Sequence, residues 1–434
     1  MSISREPSPA LLSNELAWRG LVYQTSDDDV FKNLDAGEVT AYIGFDPTAS
    51  SLHVGNLVQL IMLRRLQLAG NTPIVLAGGA TGMIGDPSGK SSERVLLSTD
   101  QIRENVTTIK GQLEEFLDFS PSSSRAILVN NYDWLSKTNI LDFLRDVGKY
   151  MTVNQMIAKD SVKSRMDSRD QGISYTEFSY MLLQATDFLH LSDNYGCNMQ
   201  LGASDQWGNI TAGLELIRKT RAREVFGMTT PLLLKEDGTK FGKSEAGAIY
   251  LDPKKTSQYD FYQFFYRSHD SVVSNYLKFF TFLSQDEILD LEISIRDAPE
   301  KREAQRELAR LLTRFVHGES GLELAESAAN ALFSQDITLT SKDVIDVALA
   351  GAPTHLIPKS ILVSGVSLVE LLAESGLTSS RSDARKLVQQ GGAYVNNIRC
   401  SDVDRVLTEA DLLSNGQILL RKGKKDYLVI SIIE

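Results

Sequence analysis

A histidine that follows a short strand-like segment could act on a phosphate. Residues 41–48 read Ala-Tyr-Ile-Gly-Phe-Asp-Pro-Thr, and Leu52, His53, Val54, Gly55 and Asn56 come shortly after. The pattern predicts a strand over 41–45 and an amphipathic helix over 52–69, with His53 at the start of the helix. A helix N-terminus suits a phosphate, and an imidazole there can donate to a phosphoryl oxygen as charge develops. A lone histidine is more commonly a cap or surface residue, so this motif needs support from elsewhere.

Two lysines in a later glycine-containing loop supply that support. The loop reads Lys240-Phe241-Gly242-Lys243-Ser244 and follows a turn-rich stretch. Lysines in such a loop can hold a polyphosphate as mobile point charges. Alone, this pentapeptide is more commonly a solvated loop. The two motifs together, in this order along one chain, are a far more specific signal for a nucleoside triphosphate than either motif alone.

A third glycine-containing segment fails as a phosphate loop of the kinase or GTPase type. Gly85 and Gly89 are separated by three residues, whereas that loop requires four between its glycines. The segment excludes that class, although its glycines still allow the backbone to approach a ligand.

Polar side chains at helical spacing predict the wall of a pocket. Tyr180, Gln184 and Asp187 lie at i, i+4 and i+7 of a predicted helix over 178–189, and therefore share one face. The alternative is an exposed polar stripe on an ordinary helix. Asp205 and Gln206 follow a predicted strand over 199–202, and ligands of parallel α/β sheets bind beyond the carboxyl ends of strands.

The paired motifs resemble the signatures of the class I aminoacyl-tRNA synthetases, known as HIGH and KMSKS. The segments between them resemble the tyrosyl-tRNA synthetases of the bacterial type, over residues 42–48, 78–90, 175–187 and 202–209. The resemblance covers essentially the whole chain. Two positions depart from the family pattern. Asn56 stands where many members carry a second histidine, and Ile43 where some carry a cysteine that contacts the ribose.

The resemblance implies a role for each site residue. For tyrosine binding it implies Tyr42, Asp86, Tyr180, Gln184, Asp187 and Gln206, with Tyr42 and Asp187 at the phenol. For ATP binding it implies Gly44, Asp46, His53, Gly55, Asn56, Asp205, Lys243 and Ser244. For catalysis it implies Thr48, His53, Asn56, Lys240 and Lys243, with Lys90 and Arg94 helping to hold the departing pyrophosphate. ATP is expected as a substrate with Mg²⁺, without a tightly bound protein cofactor.

Composition and charge narrow the class of protein. The 434 residues include 45 Lys and Arg against 56 Asp and Glu, a net charge of −11. Such a chain is not expected to coat nucleic acid or membranes non-specifically. The two distant cysteines fit a reducing compartment, and the spacing of the five histidines and two cysteines argues against a structural zinc site. No secretory signal or membrane span is visible, so we expect a cytoplasmic protein.

Alternating strand and helix patterns predict an α/β fold in three parts. Residues 1–240 are expected to form a Rossmann-like, parallel-sheet catalytic domain with an inserted dimerisation region, which by resemblance makes a homodimer. Residues 241–335 carry the lysine loop and a helical anticodon-side domain. Residues 336–358, with several Pro and Gly, are expected to be a linker, and residues 359–434 a small α+β RNA-binding domain.

The C-terminal part is the one region that is not clearly acidic. A predicted short helix that turns into a strand carries Arg381, Arg385 and Lys386, and a second basic run holds Arg421, Lys422, Lys424 and Lys425. The segment resembles a small RNA-binding fold shared with a ribosomal protein. Next to a synthetase body the expected partner is tRNA(Tyr), although a solvated charged surface is the alternative.

Two other functions compete with tyrosine attachment. The synthetase for tryptophan shares the fold and both phosphate motifs, but the Tyr42 and Asp187 pair favours a phenol-binding pocket. A relative that binds or helps to splice RNA without catalysis is the other alternative. The presence of His53, Lys240 and Lys243 argues against it.

Overall fold

The structure is a computed structural model. It describes residues 11–88, 97–159, 162–163, 166, 172–236, 238–239, 241–244, 247–332, 335–423 and 426–433. The chain divides into two compact units. The first comprises Met1–Asp252 and Ser268–Ala304, and the second comprises Pro253–Arg267 and Gln305–Glu434.

A six-stranded sheet forms the centre of the first unit. Its strands are β1 (Gln24–Thr25), β2 (Thr40–Phe45), β3 (Thr72–Ala77), β4 (Ile127–Asn130), β5 (Met199–Ala203) and β6 (Phe226–Thr230), in the order β1-β6-β5-β2-β3-β4. All neighbours run parallel except β1, which is antiparallel to β6. The α/β class and the strands expected at 41–45, 73–77 and 199–202 are therefore confirmed, with ends that differ by one residue.

The strand order places a switch of chain direction at the middle of the sheet. From β2 the chain moves outward to β3 and β4, and from β5 it moves the other way to β6. β2 and β5 lie side by side, with Tyr42 opposite Gln200. Ligands of open parallel sheets bind at such a point, beyond the carboxyl ends of the strands.

Helices pack against this sheet. Those of the first unit are Leu12–Trp18, Asp29–Ala36, Leu57–Leu68, Thr99–Phe116, Tyr132–Leu135, Ile140–Asp146, Val153–Ile157, Tyr175–Tyr195, Trp207–Arg221, Asp270–Phe280 and Gln285–Asp297. The helix expected over 52–69 begins only at Leu57, and it is not amphipathic. Even Arg65 and Gln67 on it are buried, because the helix lies against the sheet and other helices at once.

The second unit joins helices to a small mixed sheet. Its helices are Gln258–Tyr266, Glu303–Ala331 (whose first two residues belong to the first unit), Lys342–Leu349, Lys359–Ser364, Leu368–Glu374 and Arg381–Gln389. The segment Glu303–Ala331 is kinked into two helical parts at Gly318, which has φ +73° and ψ −179°. Its strands are β9 (Thr354–Pro358), β10 (Val366–Ser367), β11 (Ala393–Val395), β12 (Ile398–Cys400), β13 (Val406–Leu407), β14 (Gln417–Lys422) and β15 (Asp426–Ile433). The order β12-β11-β14-β15-β9 forms one sheet, and β10 pairs with β13. Residues 336–358, expected as a linker, contribute a helix and strand β9 to this unit, and the functional domain boundaries stay a prediction.

An asparagine turn in the second unit caps a long helix. Asn396 and Asn397 both have positive φ, and the turn between β11 and β12 therefore has the geometry of a tight hairpin. The side-chain amide of Asn397 donates to the carbonyls of Ala331 and Leu332 at 3.2 and 3.1 Å, where the helix Glu303–Ala331 ends. Arg421 donates to the Leu332 carbonyl at 3.2 Å and to Asn397 Oδ1 at 2.8 Å.

This cap corrects one sequence-based interpretation. The sequence places Arg421 in a basic run that would face RNA, but its guanidinium satisfies a helix C-terminus instead. Lys422 is exposed, while Lys424 and Lys425 lie outside the described residues. In the part of the chain that the structure covers, no helix is both long enough and apolar enough to cross a membrane.

Candidate active site

A cleft of about 370 Å³ opens at the carboxyl ends of the central strands of the first unit. The structure brings thirteen of the predicted site residues to this cleft: Tyr42, Gly44, Asp46, Thr48, His53, Gly55, Asn56, Asp86, Tyr180, Gln184, Asp187, Asp205 and Gln206. Ile43 lines it as well. Lys90, Arg94 and Lys240 lie outside the described residues, and only the backbone of Lys243 and Ser244 is described.

Backbone pairing with a distant segment, not a helix, sets the conformation of the first motif at His53. The Val54 N–H donates to the Ile249 carbonyl at 2.9 Å, and Leu251 N–H donates to the Leu52 carbonyl at 2.8 Å, on either side of a β-bridge between His53 and Tyr250. His53 is therefore extended, with φ −126° and ψ 168°, and precedes a short 3₁₀ turn over Val54–Asn56. This turn runs directly into the helix Leu57–Leu68, so His53 caps the start of the helical segment, as expected, and the first turn of that segment is 3₁₀.

Asn56 has a local role at the start of that turn. Its Oδ1 accepts the His53 backbone N–H at 3.0 Å, which is the bond that a capping side chain makes. The family position often carries a histidine, and the asparagine here ties the motif to itself while it lines the cleft.

The second motif lies against the first through two glycines. The short strands β7 (Lys243–Ser244) and β8 (Gly247–Ala248) form a hairpin that leads into the segment paired with Leu52–Val54. A Cβ on Gly242, whose φ is +102°, would lie 3.2 Å from the Gly55 nitrogen. A Cβ on Gly55 would lie 2.9 Å from the His53 ring. Glycine at both positions lets the two motifs meet closely. His53 lines the cleft beside this contact.

The closed end of the cleft holds a buried carboxyl group. Asp187 is 2% exposed, and its two oxygens accept hydrogen bonds from Asn131 Nδ2 at 2.9 Å and Trp134 Nε1 at 2.8 Å. Burial raises the pKa of Asp187 to about 7, and it raises the pKa of the Tyr42 phenol, with a further contribution from Asp187. The ring of Tyr42 packs against Phe188 with centroids 5.4 Å apart. This end of the cleft is apolar in its walls but offers oriented polar groups.

A hydrogen-bonded chain connects this buried end to the open end. Asn131 also donates to Thr81 Oγ1 at 2.9 Å, and the Thr81 hydroxyl donates to Asp46 Oδ1 at 2.8 Å. The other oxygen of Asp46 accepts from the Tyr180 hydroxyl at 2.9 Å. Tyr180 and Asp187, on one helix face as predicted, are thereby fixed by side chains from the segments that follow β2, β3 and β4.

A second polar cluster borders the cleft around Gln184. Gln206 Nε2 donates to Asp86 Oδ2 at 2.6 Å, and Asn209 Nδ2 donates to Gln184 Oε1 at 3.0 Å. Asn209 also lies 3.2 Å from Gln206 Oε1. Carboxylate and amide oxygens converge here, an arrangement that suits a cationic or hydrogen-bond-donating ligand group.

Sequence reasoning missed several residues of this site. Asn131 and Trp134 support Asp187, although no motif pointed to them. Thr81, which supports Asp46, lies in the segment 78–90 used for the resemblance but was given no role there. Asn131 follows β4 directly, and a polar residue at the carboxyl end of a parallel strand is a usable signal. Asn209 belonged to a segment used for the resemblance, but its role as a hydrogen-bond centre shows only in three dimensions.

Comparison with known proteins agrees with this fold. Residues 34–334 match the family described as tRNA synthetases class I (W and Y), and residues 346–430 match the tyrosine–tRNA ligase SYY-like C-terminal domain. The tyrosine–tRNA ligase of Roseiflexus castenholzii is 52% identical over 97% of this chain and 99% of its own. Tyrosine–tRNA ligase 1 of Bacillus licheniformis is 50% identical over 96% and 98%. A C-terminally truncated mitochondrial tyrosyl-tRNA synthetase from Aspergillus nidulans superposes with a TM-score of 0.65 at 32% identity, covering 74% of this chain and 94% of that one.

The chain therefore belongs to the class I tRNA synthetases that serve tryptophan and tyrosine. Its relatives and its C-terminal domain decide between those two amino acids. Within the family it groups with the tyrosine–tRNA ligases, enzymes that use ATP to attach tyrosine to tRNA through an adenylate intermediate. The expected family, fold class and enzyme class are confirmed.

The raised pKa of Asp187 predicts a specific pH dependence of stability. The unfolded carboxyl titrates near 3.8 and the folded one near 7, so the folded protein binds more protons between these values. Its contribution is fully present below pH 3.8 and is lost as pH rises through about 7. We expect Asp187→Asn to gain stability relative to the wild type by about 1.4 kcal/mol for each pH unit in this window. Thermal unfolding without tyrosine from pH 5 to 8 measures the difference. The substitution Asp402→Asn, at an exposed residue, is the control. A stability difference between Asp187→Asn and the wild type that stays constant with pH would contradict the prediction.

Proposed function

We propose that this cleft activates L-tyrosine with ATP and then passes the tyrosyl group to tRNA. The observation that carries the proposal is the meeting of the two phosphate motifs with the Tyr180–Gln184–Asp187 face in one cleft. Nucleotide and amino acid would then lie end to end between the open and the closed side of the site. Formation of an acyl-adenylate requires this adjacency of carboxylate and α-phosphate.

The closed end is assigned to the tyrosine side chain. The Tyr42 hydroxyl and the Asp187 carboxyl are polar groups in an otherwise apolar region, and a substrate phenol could bond to both. Asp86, Tyr180 and Gln184 surround the position assigned to the ammonium group, and Gln206 is assigned to the region of the reacting carboxylate. Phenylalanine would leave the polar groups at the closed end without a partner, and unpaired buried groups carry the discrimination. Tyrosine–tRNA ligases are themselves the standard example of this effect.

The open end is assigned to ATP. Gly44, Asp46, Gly55, Asn56 and Asp205 line the space for the nucleoside. Thr48 and His53 lie where the phosphates would follow. Lys240, Lys243 and Ser244, with Lys90 and Arg94, are assigned to the phosphates from sequence. Mg²⁺ is assigned to the ATP phosphates and water rather than to a cage of protein side chains.

The chemistry then needs no protein nucleophile. A carboxylate oxygen of tyrosine attacks the α-phosphorus, the bond to the bridging oxygen breaks, and pyrophosphate leaves. The 2′- or 3′-hydroxyl of the terminal tRNA adenosine next attacks the acyl carbon, and AMP leaves. Both steps develop negative charge on phosphoryl or carbonyl oxygens, and positioned N–H donors stabilise it.

Amino-acid-dependent exchange between ATP and pyrophosphate tests the activity directly. We expect exchange with tyrosine, and little or none with the other nineteen amino acids. His53→Ala and Lys243→Ala should lower the maximal rate of adenylate formation about 10²- to 10³-fold, because each donor acts mainly in the transition state. Tyrosine affinity should change little, and His355→Ala on β9 is the matched control. A shift in ATP half-saturation alone would overturn the transition-state role.

Discrimination against phenylalanine provides a second prediction. Tyr42→Phe removes one hydroxyl from the closed end, so the ratio of kcat/KM for tyrosine over phenylalanine should fall about 3- to 10-fold, the value of one hydrogen bond. Tyr259→Phe, another buried tyrosine but in the second unit, is the control. An unchanged ratio in Tyr42→Phe would remove the phenol assignment.

The helix Arg381–Gln389 of the second unit is proposed to bind tRNA. Arg381, Arg385 and Lys386 are exposed on it, and Arg381 is held by Glu370 at 3.0 Å and Glu374 at 3.5 Å. We expect Arg385→Glu combined with Lys386→Glu to weaken tRNA charging and to reduce its salt dependence by about one power of salt concentration for each lost phosphate contact. Tyrosine-dependent exchange should stay at the wild-type rate. Lys359→Glu is the control for an exposed lysine in the same unit, and equal effects in both variants would contradict a specific surface.

A homodimer is proposed through the region between β4 and the helix Tyr175–Tyr195. Several large apolar side chains are exposed there: Ile140, Leu141, Leu144, Val153, Ile157, Met166 and Tyr175. Such a concentration marks an interaction surface, and a second copy of the chain can pair the same patch with itself. Leu141→Glu should shift sedimentation equilibrium toward monomer, while Leu356→Glu on β9 should not. Identical association of both variants would locate the interface elsewhere.

The cytoplasm is the proposed location. Charged tRNA is consumed by ribosomes, and the product is needed in the same compartment. Cys197 and Cys400 are both free, with Cys197 buried, which fits a reducing environment.

A further inference from the structure

The helix Asp270–Phe280 contacts elements of both phosphate motifs, and nothing in the proposed mechanism yet uses it. Its C-terminal end is bound by two buried arginines. Arg19 donates to the carbonyls of Lys278 at 2.9 Å, Thr281 at 3.1 Å and Leu283 at 2.5 Å, and Arg65 donates to the Thr281 carbonyl as well. Cationic groups at a helix C-terminus are favourable, because they meet its unpaired carbonyls.

Arg65 connects this end to the first motif. It lies on Leu57–Leu68, the helix that follows His53–Asn56, and it is 2% exposed. Glu15 accepts from both Arg65 and Arg19, so the two guanidinium groups share one carboxylate. Removing one member of a buried ion pair is strongly unfavourable. The C-terminal end of Asp270–Phe280 is therefore fixed relative to the first motif.

The side of the same helix holds the second motif. The ring of Phe241 lies 4.9 Å from Tyr276, edge to face, and 5.3 Å from Phe280. The Tyr276 hydroxyl donates to the Leu234 carbonyl at 3.1 Å, at the start of the same loop. Phe241 also lines the cleft, and the following Gly242 lies against Gly55.

We propose that Phe241 is a positioning residue for adenylate formation, held by Tyr276 and Phe280 so that the lysine loop lies at a fixed distance from His53. The helix Asp270–Phe280 acts as a spacer between the motifs, anchored to one by Arg65 and to the other by its two aromatic rings. The proposal rests on the function proposed above and deepens it. Lys240 and Lys243 flank Phe241 in sequence, so a ring that settles into this aromatic site carries both lysines with it.

Three leucine variants separate positioning from general stability. Phe280→Leu removes one ring pair with Phe241, and Phe241→Leu removes both. Phe279→Leu, the control, removes a ring from the same helix that packs near Gly20. From the usual strength of aromatic pairs we expect the maximal rate of adenylate formation to fall roughly 2- to 10-fold in Phe280→Leu and roughly 5- to 100-fold in Phe241→Leu. Phe279→Leu should keep the wild-type rate even if its Tm falls as far as the Tm of Phe241→Leu or Phe280→Leu. Phe241→Tyr, which keeps the ring, should recover most of the rate.

Two readouts make the result specific. Single-turnover kinetics at saturating tyrosine separate the maximal rate from the ATP half-saturation. Equilibrium dialysis gives the tyrosine affinity, which should change less than about twofold in these variants. Trypsin cleavage at Lys235, Lys240 or Lys243, identified by mass, should be faster in Phe241→Leu and Phe280→Leu than in Phe279→Leu. Tyr276→Phe, which loses only a hydroxyl, provides a variant that is expected to fold if the leucine variants do not, with a smaller loss of rate and faster cleavage.

The outcomes distinguish this inference from the proposed function. A wild-type protein without tyrosine-dependent exchange would overturn the function. An active wild type with rates and cleavage unchanged in Phe241→Leu and Phe280→Leu, or with an equal loss in Phe279→Leu, would overturn the positioning role alone.

Discussion

Backbone pairing between residues 52–54 and 249–251 is the constraint on which the candidate site depends. It consists of two N–H to carbonyl bonds, which together form the antiparallel β-bridge between His53 and Tyr250. Closing so long a loop costs entropy, and each doubling of loop length adds only about 0.6 kcal/mol. The pairing holds His53 in extended backbone just before the helical segment begins at Val54, and Gly242 lies against Gly55. Main-chain geometry thus brings together two motifs that are weak separately, and the phosphate site that we propose depends on this pairing.

The closed end of the cleft shows how burial and hydrogen bonding oppose each other. Burial raises the pKa of Asp187, while the N–H groups of Asn131 and Trp134 favour its charged form. The indole of Trp134 is itself stacked on His190 with ring centroids 4.2 Å apart, so the donor is held in place. A carboxyl group oriented in this way does not reorganise when a phenol arrives. Preorganised polar groups in an apolar pocket discriminate more strongly than shape alone.

The sequence predicted the elements with strong local signals and failed where distant residues decide. β2, β3 and β5 were predicted within a residue, because β-branched and aromatic runs lie between turn residues. The polar face of Tyr180, Gln184 and Asp187 followed from helical spacing. The extended backbone of His53 could not be predicted, since this residue and its neighbours pair with a segment around Tyr250 that lies far along the chain. Asn131 and Thr81 were missed for the same reason: their partners Asp187 and Asp46 come from other strands and helices.

The basic residues of this protein fall into two groups, those that bond to carbonyl or carboxylate groups of the protein and those that are exposed to solvent. Arg421 stands in a lysine-rich run, yet its donors go to the end of the helix Glu303–Ala331 and to Asn397. Arg19 and Arg65 are likewise consumed by carbonyls and by Glu15 inside the first unit. Arg385 and Lys386 are exposed, so their charge reaches solvent and the phosphates that approach through it. Planar guanidinium groups suit fixed carbonyl arrays, which explains why arginine rather than lysine occupies the buried positions. Counting positive residues thus locates an RNA surface only after the arginines that cap helices have been set aside.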